Sequence, residues 1–146
     1  MRIPKTIADA LVAHARREAP NECCGLLAGR DGLVARQFAI ASDRKSPIRY
    51  FMNPKEQVSA LRAIRESGLD MLAIYHSHPT SDAWPSAHDQ EMALFPALKP
   101  GEPPAPCYPG CAYVIISLAD SDRPTLRAFE LAGTDFAEVP LEIVNG

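Results

Sequence analysis

YHSHPTSDAWPSAHD, from Tyr75 to Asp89, runs from the end of an apolar strand into the start of a helix. His76 and His78 stand two positions apart, and alternate side chains of a strand share one face. Pro79 stops the strand. Ser86 and Asp89 open SAHDQEMAL, which reads as a helix whose first turn is closed by a serine cap. Two imidazoles on one face and a carboxylate beyond the loop make three ligands for one divalent metal. Three protein ligands with a fourth position open describe a catalytic zinc site rather than a structural one. A His-x-His pair alone is a weak signal, and Ser-x-x-Asp alone is a capping box. The readings are compatible, because a helix N-terminus is a rigid mount for a ligand.

A zinc enzyme also needs a base and an oxyanion donor. Zinc lowers the pKa of a bound water from ~16 to about 7. A glutamate can take that proton and pass it to a leaving amine, and Glu22, in NECCGLLAG, is the upstream candidate. Taken alone it would be read as a solvated surface acid. The Ser86 hydroxyl is placed to stabilise the oxyanion. His88 is one helix step from Asp89 and should face elsewhere. Trp84 either covers the site and grips substrate or anchors the loop. His14 reads as a surface or core histidine of the first helix.

Apolar spacing predicts that helix from about Thr6 to Arg17, with Ile7, Ala8, Leu11 and Ala15 inward and Pro20 ending it. Glu22 to Ala28 and Leu33 to Ala41 read as a hairpin about Asp31-Gly32, with Glu22 at its outer end. Asn53-Pro54-Lys55-Glu56 starts a second helix, ended by Gly68, with Val58, Leu61 and Ile64 as its buried stripe. Met71 to His78 is the metal-bearing strand. KPGEPPAPCYPG, Lys99 to Gly110, holds five prolines and is expected to be irregular, a stiff loop or a flap. Ala112 to Leu118, Thr125 to Leu131 and Phe136 to Val144 are the remaining strands. The fold class is α/β: a single curved mixed sheet flanked by helices, forming one domain over residues 1–146.

Together the motifs resemble the JAMM (MPN-plus) metallopeptidases. The family signature is an upstream Glu, then His-Ser/Thr-His-Pro, then Ser-x-x-Asp. Here it reads Glu22, His76-Ser77-His78-Pro79, Ser86 and Asp89, with the seven residues Pro79 to Pro85 between His78 and Ser86. The resemblance extends through ECCGLLAG, NPKEQ, IYHSHP and YVIISL, and ECCGLL points to the stand-alone prokaryotic branch. It implies an MPN/JAB-like, cytidine-deaminase-like architecture and one zinc per chain on His76, His78 and Asp89. It also implies Glu22 as acid/base and Ser86 as oxyanion support. The implied substrates are ubiquitin-like sulfur-carrier proteins, cut after a C-terminal Gly-Gly. A catalytically silent scaffold of the same fold is the alternative, but it has no need of all five positions.

Composition narrows the rest. The hydrophobic fraction is 47% and the charged fraction 23%, ordinary for a globular protein. A net charge of -3 offers no broad electrostatic grip on nucleic acid. No apolar run approaches the ~20 residues of a membrane span, and the N-terminus lacks a signal-peptide centre. These readings predict a cytoplasmic enzyme; a homodimer is compatible with them. Adjacent Cys23 and Cys24 should point to opposite faces of the sheet, at least one as a small buried hydrophobe. Cys107 and Cys111 flank a tight turn, where two reduced thiols are expected in preference to a disulfide or a metal site. RadC-type relatives carry His-Asn-His-Pro-Ser-Gly where this chain has HSHPTSD. A zinc deaminase needs His-x-Glu and Pro-Cys-x-x-Cys, and neither is present.

Overall fold

The computed structural model describes residues 1–95 and 99–146. A short strand, Arg2–Pro4 (β1), leads into helix α1, Lys5–Glu18. Strands β2 (Cys24–Arg30) and β3 (Leu33–Ile40) form the expected hairpin. Its two turn residues, Asp31 and Gly32, have φ of 52° and 75°, as a two-residue hairpin with matching twist requires. Helix α2 (Pro54–Glu66) precedes β4 (Asp70–His78), and the short helix α3 (Ala87–Met92) follows it. Leu94–Phe95 (β5) pairs with Ala105–Pro106 (β6). The chain ends in β7 (Ala112–Ser117), β8 (Thr125–Ala132), β9 (Asp135–Val139) and β10 (Glu142–Val144).

Eight strands make one mixed sheet in the order β10-β1-β3-β2-β4-β7-β8-β9. The contacts β1–β10, β1–β3 and β4–β7 are parallel and the others antiparallel. The two edge strands, β9 and β10, are joined only by Pro140 and Leu141. Two residues span no more than about 10 Å between Val139 and Glu142. The two edges therefore lie close together, and the sheet is curled almost into a barrel.

One side of the sheet packs on α1 through Ile3, Ala8, Leu11, Leu27, Ala73, Tyr75 and Val114. The other packs on α2 through Leu26, Ala28, Ile40, Ala60, Ile64 and Ile74. Cover on both faces explains why β2, β4 and β7 read as continuous apolar runs rather than alternating ones. Cys23 and Cys24 follow the alternation, one in each layer, and both are buried.

Three expectations are corrected. In α2 the buried residues are Ala60 and Ile64; Leu61 is partly buried and Val58 is 56% exposed. Val58 lies roughly 120° around the helix from Ile64 at 100° per residue, so it turns to solvent. Phe136 to Val144 is two strands, because the chain breaks at Pro140, which has no N–H to give a ladder, and then crosses to the opposite edge. The proline-rich loop contributes one short strand, β6, against β5. Strand β1 has no counterpart in the sequence reading, since three residues carry no readable period.

Candidate metal centre

The site is assembled at the C-terminal end of β4, in the interior of the sheet between β2 and β7. Period-two alternation puts His76 and His78 on the α2 side with Ile74, and Ser77 on the other. Ser77 is tied down there, its Oγ accepting from Cys23 N–H at 2.8 Å. That bond joins the strand carrying the histidines to the residue after Glu22. Helix α3 places Asp89 over the same face through a reciprocal cap. Ser86 Oγ accepts from Asp89 N–H at 3.0 Å, and Asp89 Oδ2 accepts from Ser86 N–H at 2.9 Å.

His76, His78 and Asp89 converge. His76 Nε2 and His78 Nε2 are 3.2 Å apart. Each approaches Asp89 Oδ2, at 3.1 Å and 3.0 Å. All three residues are buried. His78 Nδ1–H donates to the Asp82 carbonyl at 2.7 Å, so the neutral ring presents a lone pair at Nε2. With Nε2 of both rings unprotonated, the three atoms would turn their lone pairs toward one point, where a cation could sit. Tetrahedral bonds of ~2.0–2.1 Å separate ligand atoms by roughly 3.3–3.4 Å, so the cluster needs only slight opening to hold zinc. The arrangement therefore fits the ion. His76 Nδ1 is buried without a polar partner, and Tyr50 stacks on this ring instead, with centroids 5.0 Å apart.

The electrostatics agree. Burial pushes the Asp89 carboxyl upward, but hydrogen bonds from His76 and His78 outweigh it and hold it well below the usual carboxylate range. Burial pulls the His78 imidazole down, and its hydrogen bonds to Asp89 and to the Asp82 carbonyl more than reverse that, for a net rise.

Glu22 precedes β2 and is 4% exposed. Its Oε1 is buried with no partner among the described residues. Burial, and then the charge of Asp89, raise its pKa to about 8 against the opposing effect of His78. The structure thus rejects the solvated-acid reading of Glu22. His88 takes no part in the cluster.

The sequence reading did not identify the cleft. A cavity of ≈ 200 Å³ reaches His76 and Asp89 and is walled by Tyr50, Met52, Tyr108, Tyr113 and Phe136. These residues come from segments remote in sequence, and no local spacing marks them. Trp84 does not line it; its ring meets Phe129 edge-on at 5.2 Å and anchors the loop. Strand β4, which carries the histidines, is paired on both flanks and offers no free edge itself. Cys107 and Cys111 are free thiols, directed at the Met92 and Met71 carbonyls respectively. His14 is a buried histidine bonded to the Tyr75 hydroxyl.

A curled mixed sheet with a His-x-His strand end facing a helix-borne aspartate defines the JAB/MPN class in its JAMM, metal-binding form. Residues 4–132 match the family described as prokaryotic homologs of the JAB domain, and the chain belongs to that family. A CysO-cysteine peptidase of Mycobacterium tuberculosis is 33% identical over 141 residues, covering 95% of this chain and 88% of that protein. A desampylase of Haloferax volcanii is 34% identical over 142 residues, with coverage of 92% and 90%. A protein of Desulfitobacterium hafniense with a known solution structure has a TM-score of 0.81 at 33% identity, covering 99% of this chain and 93% of that one.

Proposed function

We propose that this protein is a zinc-dependent peptidase or isopeptidase that hydrolyses the amide bond following the C-terminal Gly-Gly of a ubiquitin-like sulfur-carrier protein. The observation that carries the reading is the convergence of three potential ligand atoms from His76, His78 and Asp89, with the buried Glu22 carboxyl, one oxygen of which has no partner, coupled electrostatically to Asp89 and His78. The names of the relatives, a CysO-cysteine peptidase and a desampylase, support the substrate class.

In this reading His76, His78 and Asp89 hold the ion. Zinc supplies Lewis acidity and a water that is nucleophilic at neutral pH. The chain does the rest. The Asp82 carbonyl fixes the ring of His78, and Ser86 N–H fixes Asp89. Glu22, with a pKa near the working range, accepts the proton of the attacking water and returns it to the departing amine. The Ser86 cap uses a lone pair of Oγ, so its hydroxyl proton remains free to donate to the oxyanion. With the departing amine at Glu22, the acyl side extends toward the aromatic cleft. A glycine tail suits that path because it lets backbone approach ring faces closely.

The test is to offer the protein a panel of Gly-Gly-terminated ubiquitin-like carriers, each extended by one residue or linked to a lysine, and to weigh the products by mass spectrometry. Cleavage directly after the second glycine is expected. Equally fast cutting of unfolded peptides lacking glycine would show a broad peptidase instead.

A further inference from the structure

A glycine tail brings no side chain into the cleft beside the metal ligands, yet that cleft encloses ≈ 200 Å³. It adjoins His76 and Asp89 but not Glu22. Apart from those two residues, the described side chains around it are uncharged. Gln57 Nε2 donates to the Tyr108 hydroxyl at 2.6 Å, which ties α2 to the proline-rich loop at the cleft wall. The register of the floor supplies a scale. Ile115 pairs with His76 and Tyr113 with Ile74, so two rows of side chains cross β4 and β7. Alternate residues of a strand are about 6.6–7 Å apart, and the Ile74–Tyr113 row therefore lies that far from the metal row. Phe136 meets Tyr113 edge-on at 5.2 Å and walls the far row.

We infer that the far row is a specificity subsite for an uncharged apolar side chain, that of the residue immediately before the carrier's Gly-Gly. The inference rests on the function proposed above and adds a sequence requirement on the carrier. With the carbonyl of the last glycine at the ion, the two glycines pass the His76–Ile115 row. The side chain of the third residue then lies over Ile74 and Tyr113, against Met52, Tyr108 and Phe136.

Reach, direction and charge agree. In an extended tail the third Cα is about 7 Å from the Cα of the last glycine, which is the spacing of the two rows. The direction follows from Glu22: the amine departs on its side, and the cleft, which Glu22 does not line, is left for the acyl side. An apolar side chain in the far row exchanges water for the rings of Tyr108, Tyr113 and Phe136. A charged one would lose its hydration without gaining a counter-charge, because the Asp89 carboxylate is already taken up by His76, His78 and Ser86. The Tyr113 hydroxyl is buried with no partner among the described residues, which leaves the floor a polar group for the tail backbone.

The experiment uses full-length zinc-loaded protein and one ubiquitin-like carrier made with leucine, alanine, arginine or aspartate before its Gly-Gly, the leaving residue being held constant. The leucine carrier should be cut with kcat/KM about 10–100-fold above the arginine and aspartate carriers, the range of one buried apolar side chain, with alanine between. Binding gives a readout independent of turnover: zinc-loaded Glu22→Gln, titrated with the uncut carriers by calorimetry, should rank their Kd values in the same order. Phe136→Ala should narrow the ratio of leucine to alanine rates. Gln57→Glu puts an acid on the cleft wall, in the first turns of α2 where the helix tolerates one. It should raise the rate on the arginine carrier about tenfold relative to leucine. Equal rates on all four carriers, or a ratio untouched by both variants, would overturn the subsite and leave the peptidase reading standing. A preference that follows the leaving residue instead would overturn it too. Failure to cut any carrier would remove both readings.

Discussion

A buried carboxyl is unfavourable to ionise, and Glu22 is in that position, with one oxygen unpartnered and the Asp89 carboxylate adding to the effect. Glu22→Gln should keep its zinc, since Glu22 is not among the converging ligands. It should lose turnover by the ~10²–10⁴-fold typical of a general acid/base. Metal analysis and kinetics on one sample check both halves, and near wild-type turnover in the zinc-loaded variant would end the assignment. Glu22 also makes stability depend on pH in chelator-treated protein. Its folded pKa of about 8 lies above the ordinary glutamate value of 4.5, so the folded state binds the proton more tightly. Below the lower value the group has no effect. As pH rises between the two, the wild type loses stability relative to Glu22→Gln, by up to about 5 kcal/mol once both states are ionised. Denaturant midpoints of the two proteins should therefore diverge from pH 5 to pH 8. Ser86→Ala separates cap from catalysis. Loss of the cap costs ~1 kcal/mol, and loss of an oxyanion donor costs up to ~10²–10³-fold in kcat. A fall in Tm with unchanged kcat would leave Ser86 a cap alone.

Between residues, the precision of the site comes from how β4 is locked to β2. Tyr75, one residue before His76, is fully buried, and its hydroxyl is held by His14 and Gln37. Its ring lies over Gly25, where an added Cβ would collide with that ring and with the Phe38 carbonyl. Gly25→Ala should therefore force β2 and β4 apart. Overpacking of this kind costs ~1–3 kcal/mol, and the displaced strand should also weaken zinc affinity. Thermal melts with and without added zinc check it; an unchanged Tm would mean the strands can shift freely. The motif GLL was legible as part of a strand, but the need for glycine was not, because the ring that demands it comes from β4. The α2 stripe shows the same limit. Val58 is apolar and near helical spacing, yet the sheet beneath α2 meets the Ala60–Ile64 ridge.

Across the entire chain, the three converging side chains come from β4 and α3, while Glu22 stands just before β2. Metal binding should therefore report on the integrity of the fold. With free zinc at ~1,000 times Kd, binding adds about 4 kcal/mol, on the order of 10 °C in Tm for ~150 residues. Chelation should remove that increment from the wild type, and His76→Ala or Asp89→Ala should melt alike with or without chelator. A chelator-sensitive Asp89→Ala would strike Asp89 from the ligand set.

The local pattern was sufficient for the parts that obey local rules. His-x-His on a strand, Ser-x-x-Asp at a helix start and Asp-Gly between two apolar runs each follow from backbone periodicity or cap chemistry within a few residues. That is why the helices, the hairpin and the three converging side chains were legible before any coordinates. What remained hidden depends on contacts between distant segments. The near-closure of the sheet follows from β1 and β10 meeting at one edge while β9 ends at the other. The burial of Glu22 and the aromatic walls of the cleft, which come from loops, β7 and β9, arise where segments far apart in the chain come together. No period in the chain encodes those neighbours, because burial and pKa are set by what surrounds a group in space.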